Sequence, residues 1–336
     1  MGARITGTGS WLPARIVTND EIAASLDTSD EWIFSHTGIK TRHIAGPGES
    51  TASMSAEAGR AAIAAAGLAP EDIGMVVVAT STPDYATFPS TACMVQNALG
   101  CRNAGAFDIQ AACAGFIYAL EAARGLVELS RRPALVVGAE TLSRIVDWKD
   151  RGTCILFGDG AGAAVVEYSE SPSLWLSTLR ADGSGAQYIV REGGTRPGPD
   201  GKPLPIAPLV MKGRNVYNFA IKALEDVTRS LCASAGTEPA ALDRIFVHQA
   251  NGRRIEAVAR RMDLPPDKFY LNIASTGNTS AASIPVALDQ AARGGELRDG
   301  MRIVLCGFGA GLTFGGTIMD WPGASGRVRD NRDTAK

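Results

Sequence analysis

The amino-acid sequence predicts a layered α/β protein. Short apolar runs alternate with helical patterns along almost the whole chain. Hydrophobic residues make up 45% of the 336 residues against 20% charged, enough for a large core. The 38 glycines suggest many tight turns and close backbone approaches.

Residues 4–7 read as a first strand. Thr18 and Glu21, then Thr28 and Glu31, have capping-box spacing, so each pair predicts the start of a short helix, the second stopped by Gly38. Residues 50–67 are alanine-rich and end on glycine, as a helix with its C-cap does. A buried strand over 73–80, a helix over 90–99 closed by Gly100, and a strand over 106–110 come next. A helix over 113–129 follows that strand directly. Further strands are predicted at 134–139, 161–168 and 174–179, then a helix at 215–235 and a strand at 244–247. Helices at 251–262 and 279–293, the latter containing Pro285, precede closing strands at 302–306 and 312–319.

Two stretches stand outside this rhythm. Residues 191–208 (REGGTRPGPDGKPLPIAP) are rich in Gly and Pro and predict a long surface excursion of the kind that forms a lid or pocket wall. Residues 324–336 are polar and charged and predict a disordered tail. The excursion leaves two halves of similar rhythm, 1–172 and 173–323, consistent with an internal duplication.

A net charge of −2 argues against a general nucleic-acid binder. No apolar run reaches the 18 residues of a membrane span, and residues 1–12 lack the layout of a secretory signal. The six cysteines, Cys93, Cys101, Cys113, Cys154, Cys232 and Cys306, form no CxxC pair and read as reduced thiols of a cytoplasmic protein.

Four stretches carry candidate chemistry. In Phe107–Phe116 (FDIQAACAGF) a strand runs into small residues and Cys113 sits where a helix begins, where free amides and the helix dipole favour the thiolate. The same turn offers backbone donors for an oxyanion. In Val247-His248-Gln249-Ala250-Asn251 a histidine ends a strand, a place where functional residues of open sheets gather. Gly277-Asn278-Thr279-Ser280 puts small polar residues at a helix start, and Gly307-Phe308-Gly309-Ala310-Gly311 follows a strand. Singly, each also reads as ordinary structure: a buried core cysteine, a hydrogen-bonded loop histidine, a helix cap, a hairpin.

In joint order, Cys113, His248 and Asn278 resemble the Cys-His-Asn site of the 3-oxoacyl-[acyl carrier protein] synthase III family of thiolase-like condensing enzymes. Thr28-Ser29-Asp30-Glu31-Trp32 with Thr37-Gly38-Ile39 and Arg42-His43, and Phe157-Gly158-Asp159-Gly160-Ala161-Gly162-Ala163, resemble its amino-terminal and mid-chain signatures. The resemblance runs from about Arg4 to Asp320. It implies a thiolase-like five-layered α-β-α-β-α fold of two duplicated halves, working as a homodimer.

The implied reaction is a decarboxylative Claisen condensation. An acyl-CoA acylates Cys113, malonyl-[acyl carrier protein] loses CO2, and the carbanion attacks the acyl group. His248 and Asn278 would act as neutral N–H donors to the malonyl thioester oxygen. By resemblance the backbone N–H groups of Cys113 and Ala310 form the oxyanion hole, with alanine where the family usually has glycine. No cofactor and no metal are implied, since the CoA thioester is a substrate.

The remaining roles are carried over the same way. Trp32 and Arg151 match residues that sandwich the adenine of CoA, and Thr28 and Thr37 match polar contacts to it. His36 stands where the family commonly has arginine, which weakens phosphate attraction and leaves a carrier-bound primer open. Asn251 matches a contact to the pantetheine arm, and Gly213 and Tyr217 match the tunnel wall, the latter usually phenylalanine. Phe88 matches a residue entering the neighbouring subunit's acyl pocket, with Leu142, Phe157, Leu209, Met211 and Phe308 lining the rest. Arg253, Arg260 and Arg261 match the docking face for the acidic carrier protein, and otherwise read as a solvated helix face.

Other readings are a relative that primes polyketides, a non-catalytic acyl-binding subunit and a Cys-His hydrolase. Thiolases and hydroxymethylglutaryl-CoA synthases share the fold. The first would want a second cysteine near the final glycines, where Cys306 falls in a predicted strand. The second would want a glutamate near the nucleophile, where the nearest upstream acid is Asp108 and Glu121 lies inside the helix.

Overall fold

The computed structural model describes residues 2–170 and 173–322. The expected tail over 324–336, and residues 171–172 at the end of the first expected half, lie outside the described residues.

The first sheet is drawn from β1 (Gly2–Trp11), β4 (Met75–Ala79), β5 (Gly105–Ile109), β6 (Ala134–Thr141) and β7 (Asp159–Ser169), in the spatial order β1-β7-β6-β4-β5. β7 runs antiparallel to both β1 and β6, and β6, β4 and β5 are parallel. The second sheet takes β8 (Trp175–Ala181), β11 (Arg244–Val247), β12 (Arg302–Gly309) and β13 (Thr313–Asp320), in the order β11-β12-β13-β8. Its pairings repeat the first sheet: β13 is antiparallel to β8 and β12, and β12 is parallel to β11. Phe269 makes a parallel bridge to Ile245 of β11, at the edge where the first sheet has β5.

Side-chain alternation sorts these apolar strands into layers. In β4, Val76 and Val78 face an outer core with α3 (Thr51–Ala66) and α4 (Thr91–Leu99). Val77 and Ala79 face the central core, which holds α5 (Gly115–Ser130) and α9 (Ser283–Arg293). In β12, Ile303 and Leu305 enter that central core from the other side. Val304 and Cys306 point outward against α6 (Gly213–Ser234) and α7 (Gly252–Arg261). Helices, sheet, helices, sheet, helices: this is the five-layered arrangement of two repeated halves.

A smaller unit caps one end. The strands β2 (Arg15–Thr18) and β3 (Thr41–Ile44) pair antiparallel, with α1 (Asn19–Ala23) and α2 (Asp30–Thr37) between them. Thr18 caps α1 as expected, accepting from the Glu21 N–H at 3.2 Å. The cap of α2 is Ser29, one residue beyond the expected Thr28; its hydroxyl accepts from the Trp32 N–H at 3.1 Å. Fully buried Arg42 ties the unit together, donating to Asn19 Oδ1 and the Ile155 carbonyl, both at 2.8 Å. Burial lowers its pKa to about 10, still charged at neutral pH.

The glycine- and proline-rich excursion rises from a two-stranded stem, β9 (Ile189–Arg191) with β10 (Leu209–Met211). A short helix, α8 (Ile273–Thr276), leads into the Gly277-Asn278 turn. The expected helix over 279–293 begins as a 3-10 turn at Ser280–Ala282 before α9.

β6 and that 3-10 turn meet at Gly138. A Cβ there would lie 2.2 Å from the Ala281 carbonyl oxygen, which is backbone and cannot swing aside. Gly138→Ala is therefore expected to cost about 1–3 kcal/mol by overpacking. It would also displace the turn that holds Asn278 and Ser280. A lower denaturant midpoint with reduced turnover is the expected result. An unchanged midpoint and turnover would show that the contact is not rigid.

Candidate active site

Cys113, His248 and Asn278 line one cavity of about 220 Å³, brought together from both halves of the chain. Leu142, Phe157, Leu209, Met211, Phe308 and Ala310 line it too, and so do Ile189, Val190 and Arg191 from the excursion's stem. The stem of the excursion thus supplies the wall; of the expected excursion, residues 191–208, Arg191 alone lines this cavity.

Cys113 sits in a 3-10 turn, Ala112–Ala114, between β5 and α5. Ala112 takes a left-handed φ of 46°, which is rare and costly for a residue with a side chain. The end of β12 closes over the turn: a Cβ on Gly309 would lie 2.6 Å from the Cys113 nitrogen, so only glycine allows that approach. The Thr313 hydroxyl sits between the carbonyls of Ala111 and Ala310, at 2.7 and 2.9 Å, and ties the two turns together.

The charge state of this sulfur corrects the sequence reading. Burial pushes the Cys113 thiol up to about 12, and the nearby Glu140 carboxylate adds to the rise. A helix dipole is worth about 0.3–1 kcal/mol, less than one pKa unit, and does not offset that. The resting group is a thiol. Alkylation by iodoacetamide at pH 7.5 is accordingly expected to be at least about tenfold slower than for an exposed cysteine, and to accelerate toward pH 9. A rate as fast as a free thiol's at pH 7.5 would mean that the cavity does not desolvate the sulfur.

His248 directly follows β11, almost fully buried, and its ring meets the Phe308 ring at 5.1 Å. Burial first, and the Arg254 charge second, lower its pKa to about 3, so the ring is neutral at pH 7. Nδ1 lies 2.8 Å from the Ser283 hydroxyl, which also lies 2.8 Å from the Ser280 carbonyl. That one hydroxyl proton has two acceptors. Turned to Nδ1, it leaves the imidazole proton on Nε2 and makes the ring a donor. Turned to Ser280, it leaves Nε2 an acceptor.

Asn278 is held by the mid-chain FGDGAG stretch. Its N–H donates to the Leu156 carbonyl at 2.8 Å, and its carbonyl accepts from the Gly158 N–H at 3.0 Å. Its side-chain oxygen accepts from the Ser280 N–H at 2.9 Å, so the NH2 end remains to donate into the cavity. Asp159 of the same stretch links loops, accepting from Ala45 N–H, Ser143 N–H and the Ser143 hydroxyl.

The residues assigned to coenzyme recognition are placed less uniformly. Trp32 stacks on His36 at 4.2 Å, and the Arg151 guanidinium lies 4.8 Å from the Trp32 ring. An intervening adenine needs roughly 7 Å, two stacking distances, so Arg151 would have to withdraw. Thr37 is buried and its hydroxyl is spent inside α2, donating to the Ile33 carbonyl at 2.6 Å. Asn251 is the N-cap of α7: its oxygen accepts from Arg253 N–H and Arg254 N–H, and its NH2 donates to the His36 carbonyl. Both side chains are thereby committed to structure. Thr28 keeps a buried hydroxyl with no partner among the described residues.

Gly213 and Tyr217 open α6 but do not line the cavity; Val216 and Phe219 do. Tyr217 instead lies under the Arg254 guanidinium, 5.2 Å away. Phe88 is 83% exposed and lies outside this chain's cavity. Arg253, Arg260 and Arg261 are partly or fully exposed on α7, with Arg253 paired to Glu256 and Arg261 to Glu225.

Four groups escaped the sequence reading, two lining the cavity (Arg254 and Ser280) and two behind it (Ser283 and Glu140). Arg254 lines the wall, while Arg253, expected on the docking face, points about 100° away around the same helix. Ser280 and Ser283 stood inside a stretch read as a cap. Glu140, fully buried at the end of β6, accepts from the Thr82 hydroxyl at 2.6 Å, the Ser81 N–H at 3.0 Å and the Ser280 hydroxyl at 3.0 Å. An acid therefore does stand beside the nucleophile, downstream of it in sequence. Asp108 is not that acid: it accepts from Thr91 N–H and Ala92 N–H at the start of α4. Glu121 pairs with Arg124 on α5. Cys306 is buried in the outer core with α6 and does not line the cavity, so a second thiolase cysteine is not in place.

Known proteins share this fold. The carboxy-terminal model of 3-oxoacyl-[acyl-carrier-protein] synthase III matches residues 232–321, and the companion synthase III model matches residues 107–183. The chain is 47% identical over 326 residues to the beta-ketoacyl-[acyl-carrier-protein] synthase III of Caldanaerobacter subterraneus subsp. tengcongensis, covering 96% of this chain and 98% of that one. The chain belongs to the 3-oxoacyl-[acyl carrier protein] synthase III family. The synthase III of Aquifex aeolicus VF5 superposes with a TM-score of 0.88 at 41% identity, over 95% of this chain and 100% of that one. The priming beta-ketosynthase of the R1128 polyketide pathway superposes equally well, with a TM-score of 0.88 at 36% identity, over 96% of this chain and 97% of that one. Members of this synthase III family are condensing acyltransferases, and the repeated halves described above are the thiolase-like fold they share.

Proposed function

We infer that the protein is a 3-oxoacyl-[acyl carrier protein] synthase III, joining an acyl-CoA primer to malonyl-[acyl carrier protein] to start fatty-acid chains. The observation that carries this reading is the single cavity lined at once by Cys113, His248 and Asn278. The Cys113 sulfur attacks the primer thioester, forming an acyl-cysteine and releasing the CoA thiol. Malonyl thioester then enters and its carboxylate leaves as CO2. The electron pair builds charge on the thioester oxygen, which the Asn278 NH2 and the His248 Nε2–H receive. The carbanion attacks the acyl carbonyl, whose oxyanion sits against the N–H groups of Cys113 and Ala310. The Cys113 sulfur leaves and the 3-oxoacyl product departs.

Every step runs on thioesters and side chains, so the reading requires no cofactor or metal. Trp32, His36 and Arg151 form the coenzyme mouth in this reading, with Thr28 free to donate. Thr37, Gly213, Tyr217 and Asn251 shape it from behind. Arg253, Arg260 and Arg261 receive the acidic carrier protein. The working unit is a homodimer in which Phe88, exposed here, closes the partner's acyl pocket. The enzyme works in the cytoplasm; among the described residues no helix is long and apolar enough to cross a membrane.

The bulky Phe88 and the cavity of about 220 Å³ favour a short primer such as acetyl. A second reading, a specialised primer of polyketide synthesis, is favoured by His36, Tyr217 and Arg254 at the mouth. Both are tested by offering acetyl-, butyryl- and octanoyl-CoA with malonyl-[acyl carrier protein] and identifying the product. CO2 release with a 3-oxoacyl product, fastest from acetyl-CoA, is expected. Fastest use of octanoyl-CoA would reject the short primer, and transfer without CO2 would reject condensation.

A further inference from the structure

The cavity is lined by fixed charge of one sign. Among the described residues lining it are two arginines, Arg191 and Arg254, and no aspartate or glutamate. Arg191 is exposed on the excursion's stem, whereas Arg254 is half-buried on the first turn of α7. We propose that Arg254 forms a carboxylate subsite, selecting a thioester whose acyl group ends in a carboxylate, and that malonyl is that group. This rests on the condensation read above.

The subsite follows from how α7 is held and from what its arginines do. Asn251 caps the helix by accepting from the N–H groups of Arg253 and Arg254. Buried Ile255, Val258 and Ala259 fix its inner face in the outer core with α6. On the same helix Arg253 pairs with Glu256 and Arg261 with Glu225. The Arg254 guanidinium has no ion pair and no hydrogen bond among the described residues. It lies over the Tyr217 ring, 5.2 Å away. A ring face is a weak partner and gives the guanidinium N–H groups no acceptor. The charge persists, since a guanidinium keeps its proton at neutral pH. It also lowers the His248 pKa, so it acts on the space in which the malonyl oxygen is received.

The substrates differ in what they offer such a group. Acetyl and butyryl thioesters carry no charge near the reacting carbon. The phosphate of a pantetheine arm lies the whole length of that arm from the sulfur, toward the mouth formed by Trp32, His36 and Arg151. The malonyl carboxylate is separated from its thioester carbonyl by a single methylene. With the thioester oxygen on His248 and Asn278, that carboxylate lies inside the cavity that Arg254 lines. The planar fork of a guanidinium matches a carboxylate with two parallel hydrogen bonds. Holding a cation partly out of water without an anion is unfavourable, and the arriving carboxylate offsets that cost.

No bond is made or broken at Arg254. The ion pair belongs to the bound malonyl thioester before reaction. As CO2 leaves, the charge moves to the thioester oxygen, toward Asn278 and His248. An interaction strongest before the transition state tightens binding without speeding the chemistry. Arg254 is therefore a specificity residue: it sets KM for the malonyl substrate, not kcat, and takes no part in acylation by a neutral primer. On the acylated enzyme it favours malonyl over a second neutral thioester.

The test compares wild type, Arg254→Met and Arg254→Lys, using whichever of acetyl-, butyryl- and octanoyl-CoA reacts fastest as primer. Arg254→Met should raise KM for malonyl-[acyl carrier protein] by about 10–100-fold with kcat no lower than in the wild type. Arg254→Lys should recover most of that loss. Single-turnover acylation by the neutral primer, and inhibition by holo-[acyl carrier protein], should stay near wild type in both variants. A second arm compares acylation by glutaryl-CoA and pentanoyl-CoA. Loss of the glutaryl reaction alone in Arg254→Met, with KM for malonyl unchanged, would support the subsite and overturn malonyl as its occupant. No change in either arm would overturn the subsite. Equal weakening of holo-[acyl carrier protein] would also overturn it, making Arg254 a docking contact. A wild type that forms no 3-oxoacyl product would overturn the condensation reading instead, and the glutaryl arm would still decide the subsite.

Discussion

Replacing Cys113 with alanine is expected to abolish the acyl-enzyme and lower condensation by at least about 10⁴-fold, the scale seen when a covalent nucleophile is removed. The residues around it argue that the loss will be chemical. Cys113 is only partly buried, and alanine removes one sulfur from a turn already built of alanine and glycine. The turn's shape comes from Ala112, from the Gly309 approach and from the Thr313 bridge, none of which involves the sulfur. Melting temperature should therefore stay close to that of the wild type. Decarboxylation of malonyl-[acyl carrier protein] should remain measurable, because Asn278 and His248 are untouched. Turnover, intact mass and CO2 release measured on the same preparation check all three. Retention of more than about a hundredth of wild-type condensation would mean that Cys113 is not the acyl carrier.

The second large effect is expected at the donors. His248→Ala or Asn278→Ala should each slow CO2 release by about 10²–10³-fold, roughly 3–4 kcal/mol of transition-state stabilisation. The acylation step should be affected far less, since the oxyanion formed there is received by backbone N–H groups in this reading. The two half-reactions separate cleanly by mass and by CO2. Asn278→Asp should be at least as damaging as Asn278→Ala, because it sets a carboxylate where charge develops. If His248→Ala instead lost acylation and kept CO2 release, the ring would be the base and not the donor.

How much of this was legible in sequence depends on distance along the chain. Helix starts and stops are local, and Thr18, Ser50, Gly38, Gly67 and Gly100 cap as their residue types predict. The slip from Thr28 to Ser29 is one residue between two equally competent caps. Strand faces could be assigned only after pairing, because Val76, Val77 and Val78 are all apolar yet serve two different cores. Glu140 was invisible for a stronger reason. It ends an apolar strand, and its partner Ser280 lies 140 residues away, so no spacing connects them. The thiol's charge was misread because the dipole is visible in sequence and desolvation is not. Arg254 sits beside Arg253 in the chain, and only the orientation of α7 says which one reaches the cavity.

The central claim is that acyl groups are carried on one cavity-lining sulfur that shares its pocket with two neutral donors. Tandem mass spectrometry of the wild type after brief exposure to an acyl-CoA tests it most directly. The acyl mass is expected on the peptide containing Cys113, and it should vanish when malonyl-[acyl carrier protein] is added. An acyl group found on Cys93, Cys306 or any other residue, or one on Cys113 that malonyl-[acyl carrier protein] does not remove, would contradict it.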